Sequence, residues 1–323
     1  MSLVTPAQYE LSNSQGMRIN LMDFGATLTS VKTPSPTGML ELTLGFDTLA
    51  EYQQHPFYAG CTVGRVANRI AKGQYHYQNN RYELARNENN HCHLHGGNKG
   101  FDKIFWHGKR QNNQVIFSYD SPAGEENYPG NVQVKVSYEL TDANELKIDF
   151  HASTDQSTPL NLTNHAYWNL RGAGQGNILN HELEIFAREY LETDNKHLPT
   201  GRLLATEKSL FDFNTPRLIG ERIAKVGGYD HCFVTAGELA ARVREPDTGH
   251  VMEVYTTQPG IQFYSGNYLP DYPVAGQKTI KQHGGFCLET QGFPDAVNQP
   301  LFPSVMLLPE QIYQHTTIYK FLF

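Results

Sequence analysis

Between Val132 and Phe150 the chain alternates strictly between apolar and mostly polar residues. Val132, Val134, Val136, Tyr138 and Leu140 fall at every second position. Asp142-Ala143-Asn144 interrupts the pattern as a turn, and Leu146, Ile148 and Phe150 resume it. Successive side chains of a strand point to opposite faces, so this spacing buries one face of a β-hairpin. A second hairpin is predicted around Asn79-Asn80, between Tyr75 and Tyr77 on one side and Tyr82 and Leu84 on the other. A third is predicted around Asp247-Thr248-Gly249, joining Ala241–Val243 to Val251–Tyr255. Helical spacing is confined to two short stretches, Thr48–Gln54 and Leu218–Val226. Strands do not alternate with long helices, which argues against a doubly wound or barrel-type α/β fold. Residues 121–130 and 171–177 read as long loops, and no repeat or linker divides the chain. The prediction is an all-β fold: a large antiparallel β-sandwich with few short helices, one domain over residues 1–323. The 28 Gly and 17 Pro suit its turns, and the 18 Tyr and 17 Phe suit its strands.

Charge and cysteine usage narrow the function. The net charge is -7 and the basic residues form no run, so nucleic acid is not an expected partner. No apolar stretch approaches the roughly 20 residues of a membrane helix, so no membrane association is expected. Met1–Glu10 does not pair a basic segment with an apolar core, and a secretory signal is not expected. Cys61, Cys92, Cys232 and Cys287 are scattered and form no C-x-x-C pair. Free thiols in a reducing cytoplasm are the expectation.

Six segments carry polar groups that a plain sheet does not need. Gly64–Ile70 sets Arg65, Asn68 and Arg69 among small apolar residues: an edge strand, or donors for ligand hydroxyls. His91–Gly97 spaces His91, His93 and His95 two apart, on one strand face. Three such histidines span about 13 Å, too far to share one metal ion easily. Asn161–Leu170 surrounds His165 with amides and with the aromatic rings of Tyr167 and Trp168. Amides suit sugar hydroxyls, and aromatic faces suit the C–H surface of a sugar ring. Gly228–Phe233 places Asp230 at a turn, and Gln258–Asn267 places Gln262 beside aromatics. In Gly284–Gln291, Glu289 follows the apolar run Phe286–Leu288. Desolvation there would raise its pKa and make it a usable base.

Taken in order, GRVANRI, HLHGG followed by FDK, NHAYWNL, GYDHCF, QPGIQFYSGN and ETQGFPDAVNQP resemble the aldose 1-epimerase (galactose mutarotase) family. The resemblance runs from residue 64 to residue 298. It implies a supersandwich with the site in an open cleft on its concave face. It also implies that His165 is the general acid and Glu289 the general base. Asn68, Arg69, His95, Tyr167, Asp230 and Gln262 would then bind the sugar. The implied reaction interconverts α and β anomers of a free hexose such as galactose or glucose, within hexose metabolism. It proceeds by ring opening and reclosure and needs no cofactor and no metal. The expected assembly is a monomer or weak homodimer. Three rivals stand beside this reading: a non-catalytic sugar-binding protein, a hexose-6-phosphate epimerase using Arg65 and Arg69 for phosphate, and a glycoside hydrolase pairing Asp230 with Glu289.

Overall fold

In a computed structural model, which describes residues 5–54, 57–274 and 278–323, the predicted hairpin forms the middle of the largest sheet. Val132–Leu140 pairs antiparallel with Glu145–Thr154, Val136 opposite Phe150. Every apolar residue of the alternating set is buried. The sheet has nine strands, and the C-terminal strand Tyr313–Leu322 lies inside it, between Glu145–Thr154 and Val251–Thr256. The two halves of the chain therefore share one ladder.

A five-stranded sheet runs in the order Pro199–Ala205, Glu189–Thr193, Asp230–Val234, Gly260–Tyr264, Cys287–Gln291. Phe263, Leu288, Tyr319, Phe321 and Trp168 are buried in one continuous core with the large sheet's inner face. The Tyr319 hydroxyl donates to the Leu288 carbonyl at 3.0 Å, tying the two sheets together. Burying one such large apolar side chain is worth about 1.5–3 kcal/mol, so the sandwich is held mainly by this interior. A four-stranded N-terminal sheet, from Gln8–Ser12 to Gly38–Glu41, packs alongside. Tyr138 donates to the Ala26 carbonyl at 2.8 Å across that contact.

The other sequence expectations divide. Gln74–Tyr77 pairs with Asn80–Glu83, with Tyr75 and Tyr82 rings stacked at 4.8 Å. Its two-residue turn is Gln78-Asn79, one position earlier than expected, and both residues have positive φ as a type I′ turn requires. Leu239–Arg244 pairs with Val251–Thr256 as predicted. Short helices occupy Leu49–Gln54 and Ile223–Val226. The three alternating histidines do not share a strand face, contrary to expectation. The strand is only Cys92–Leu94, and His95 turns out of it at φ 49°. His93 is a buried structural group, bonded to the Ala85 carbonyl at 2.8 Å and the Tyr128 hydroxyl at 2.7 Å.

Candidate active site

The five-stranded sheet supplies half of the site by register. Gln262 lies opposite Glu289 on one side and Cys232 on the other, and Asp230 opens the neighbouring strand. The other half comes from irregular backbone. His165 follows the two-residue strand Thr163–Asn164 and is fixed by paired main-chain bonds. Its N–H reaches the Cys61 carbonyl at 3.0 Å, and its carbonyl accepts the Gly60 N–H at 2.9 Å. Asn68 and His95 both sit at positive φ, 64° and 49°. A side chain held in that region costs energy that the surroundings must offset, and such residues concentrate at functional sites. Gly96 follows at φ 87° so close to Gly64 that a Cβ would lie 1.8 Å from its carbonyl oxygen. This close approach presses the His95 loop against the GRVANRI segment.

Together these elements enclose a cavity of about 250 Å³ lined by Asn68, Arg69, His95, His165, Tyr167, Asp230 and Glu289. Gln262 lies behind it, its amide donating to Asp230 Oδ1 at 2.6 Å. The eight residues that the resemblance marks are therefore brought to one place, whereas His93, Trp168 and the phosphate candidate Arg65 lie outside it. That guanidinium is buried and spends its donors on Ser121 and the carbonyls of Ser121, Pro122, Pro129 and Gly130. Larger hollows of about 510 and about 620 Å³ lie elsewhere, and neither is lined by a histidine together with a carboxylate. Sequence reading missed Tyr58, Glu88, Tyr264 and Cys287. No local pattern marks Tyr58 or Glu88, because folding alone brings them in.

At the centre, His165 Nε2 stands 3.7 Å from Glu289 Oε1. Both side chains are almost wholly buried, at 6% and 3% exposure. The His165 ring lies within 5.7 Å of the rings of His95, Tyr58 and Tyr167, and its Nδ1 is 3.6 Å from Cys287 Sγ. Arg69 is clamped by Glu88 through bonds of 2.7 and 2.8 Å and meets Asp230 at 3.3 Å. Glu289 Oε2 and Gln262 Oε1 are buried without a hydrogen-bond partner among the described residues. Buried acceptors are almost always satisfied in folded proteins, and of these two Glu289 lines the cavity.

Burial pushes the Glu289 carboxyl up to about 8. The Asp230 charge adds to that rise, and Arg69 opposes it without prevailing. Burial pulls His165 down to about 4, against the opposing pull of its own carbonyl and of Asp230. Desolvation thus favours the neutral form of each partner, and near neutral pH the pair holds a single proton between them. His95 is pushed well below the ordinary imidazole range, first by burial and then by His165 and Arg69. Its Nδ1 accepts the Asn68 N–H at 3.2 Å. The neutral ring must therefore carry its proton on Nε2. Donor atoms of His95, His165 and Glu289 do lie within 4.8 Å of one another. A metal-bound histidine donates its other N–H outward, and His95 does the reverse. The ring offers the cavity a hydrogen-bond donor rather than a lone pair for an ion.

Residues 7–320 match the family model described as aldose 1-epimerase. The chain belongs to the aldose 1-epimerase family. It is 44% identical to the galactose mutarotase of Bos taurus, over 98% of this chain and 94% of that protein. It is 43% identical to the galactose mutarotase of Homo sapiens, over 94% of this chain and 91% of that one. The solved aldose epimerase homologue from C. elegans superposes with a TM-score of 0.93 at 31% identity, covering 98% of this chain and 99% of that one. The family's fold is thus the sandwich described above, and the epimerase motifs GRVANRI, HLHGG, NHAYWNL, GYDH, GIQF and ETQ each contribute a residue to or beside the one cavity.

Proposed function

We propose that this family member is an isomerase, a mutarotase that interconverts the α and β anomers of free hexoses. His165 acts as general acid and Glu289 as general base. The observation that carries this reading is the buried His165–Glu289 pair, 3.7 Å apart in the cavity.

Anomers exchange through the open-chain aldehyde. The C1 hydroxyl must lose a proton while the ring oxygen gains one, and two groups flanking C1 and O5 do both in one step. Glu289, as carboxylate, takes the hydroxyl proton. His165, as imidazolium, gives its proton to O5, and the C1–O5 bond breaks. The enzyme then holds protonated Glu289 and neutral His165, the charge state that burial favours. The low dielectric of the cavity therefore stabilises the stage at which the aldehyde exists. Rotation about C1–C2 turns the carbonyl over, and reclosure returns both protons. His95 through Nε2–H, with Arg69, Asp230, Gln262, Asn68 and Tyr167, holds the hydroxyls and the ring face. Each neutral hydrogen bond contributes on the order of 1 kcal/mol.

The site gives the rivals little support. Arg65 is locked in a cage of carbonyls and Arg69 is held by two carboxylates, which leaves no free cation of this pair for a sugar phosphate. Asp230 is engaged by Gln262 and Arg69, which suits binding better than proton donation to a glycosidic oxygen. The same reading takes residues 1–323 as one domain, supported by a core that runs from Leu11 to Phe321. It places the protein in the cytoplasm, which four buried free thiols suit, as a monomer or weak homodimer with no nucleic-acid or membrane partner. No helix among the described residues is long and apolar enough to cross a membrane.

Polarimetry on freshly dissolved α-glucose or α-galactose tests the assignment. His165→Asn and Glu289→Gln should fold and lose about 10²–10⁴-fold in rate, the usual contribution of a positioned acid or base. A near wild-type rate in either variant removes that residue from the mechanism.

A further inference from the structure

At the wall of the sugar cavity lies a second cluster, which shares Glu88 with it and adds two residues that the proposed chemistry does not use. Residues Glu88–Cys92 form a tight turn, with Asn89 and Asn90 both at positive φ and the His91 N–H on the Glu88 carbonyl at 3.0 Å. The turn folds three different donors onto one another. One atom each from the Glu88 carboxylate, the His91 imidazole and the Cys92 thiol lie within 4.8 Å of one another. Cys92 already donates its S–H to Glu88 Oε2 at 2.9 Å. His91 Nε2 is buried and has no hydrogen-bond partner among the described residues. An orphaned buried imidazole nitrogen is a cost that a ligand would remove.

We propose that Glu88, His91 and Cys92 form an inhibitory site for a thiophilic divalent cation, with Zn²⁺ as the fitting ion. Thiolate, imidazole and carboxylate are the three ligand types zinc takes, and side-chain shifts of about 1 Å bring this set to the usual bond lengths of 2.0–2.3 Å. A water completes the tetrahedron. Cys92 loses its proton to solvent on binding, so thiolate and carboxylate together balance the ion's two charges. The consequence follows from Glu88, which also clamps Arg69 at 2.7 and 2.8 Å. An ion drawn to Glu88 Oε2, the oxygen that Cys92 contacts, competes with the Arg69 Nε bond at 2.7 Å and turns the two-point clamp into a single bond through Oε1. The sugar-facing guanidinium loses its fixed geometry. The inhibitory half of the proposal rests on the mutarotase reading; the binding half does not.

The test separates the two. The full chain, stripped of metal by chelation, is titrated with Zn²⁺ by equilibrium dialysis and with Co²⁺ by absorption spectroscopy. One equivalent of Zn²⁺ is expected, and Co²⁺ should give a thiolate charge-transfer band with the intense visible bands of a tetrahedral ion. His91→Ala and Cys92→Ser should each weaken binding at least about tenfold, since even outer-shell partners act on that scale. In polarimetry Zn²⁺ should slow the wild type reversibly by chelator, whereas His91→Ala keeps its basal rate and resists the ion. Absence of stoichiometric binding, or binding unchanged in both variants, overturns the site. Equal inhibition of wild type and His91→Ala overturns it too, and places the ion's effect elsewhere. Binding as expected with no anomer conversion by the metal-free protein retires the mutarotase reading and leaves the cation site standing.

Discussion

Above about pH 8 the last proton leaves the His165–Glu289 pair, and anomer conversion should fail with it. The step needs one proton on the pair: without it no acid is left for O5, and with two there is no base for the C1 hydroxyl. The upper limit is set by Glu289, raised to about 8 by burial and by Asp230. The lower limit is set by His165, pulled to about 4. These values belong to the coupled pair rather than to either residue alone. With the upper limit at about 8, the one-proton form is roughly 90% of the protein at pH 7 and roughly 9% at pH 9, so kcat/KM should fall about tenfold per unit beyond the limit. The assay is optical rotation of fresh α-glucose in buffers of equal ionic strength, with the uncatalysed rate subtracted at each pH. The quotient kcat/KM reports the free enzyme, to which these values refer. Suppose activity instead climbs through the ordinary carboxylate range near pH 4 to 5 and stays level to about pH 10. Glu289 would then ionise freely, and the shared-proton argument would fail.

Other perturbations follow from the same geometry. Asp230→Asn removes a charge that lifts Glu289, so the alkaline limb should move to lower pH, and the lost partner of Gln262 and Arg69 should raise KM in the same assay. Glu289→Gln should be more heat-stable than wild type at about pH 9 and little different near pH 4, by calorimetry. A carboxyl raised above its unfolded value costs the folded state nothing while protonated in both states. It costs increasingly as pH rises from the unfolded pKa of about 4.3 through the folded one, and Gln has no such cost. Gly96→Ala forces a Cβ to 1.8 Å from the Gly64 carbonyl oxygen at φ 87°. It should destabilise by about 2–5 kcal/mol in denaturant titration, from left-handed strain plus overpacking.

The sequence by itself determined the strands. Period-two spacing is a local property, and the residues that alternate from Val132 to Phe150 are buried because a pleated strand leaves no other arrangement. The ordered motifs likewise singled out His165, Glu289 and the six positions proposed to bind the sugar, and the fold gathers them in and beside one cavity. Local pattern misled where backbone left the strand. The histidine run looked like one face, but His95 takes a positive φ, and only the fold around Gly64 and Gly96 imposes that turn. Arg65 and Arg69 look alike in GRVANRI, yet one disappears into a cage of carbonyls and the other faces the cavity. Tertiary structure also decided the chemistry of the central pair. His165 and Glu289 are far apart along the chain, and neither is unusual alone. Packing between the sheet edge and the Gly60–Cys61 backbone brings them to 3.7 Å, both buried. Desolvation is a property of that enclosure rather than of any residue type, and so is the neutral form it favours in each partner.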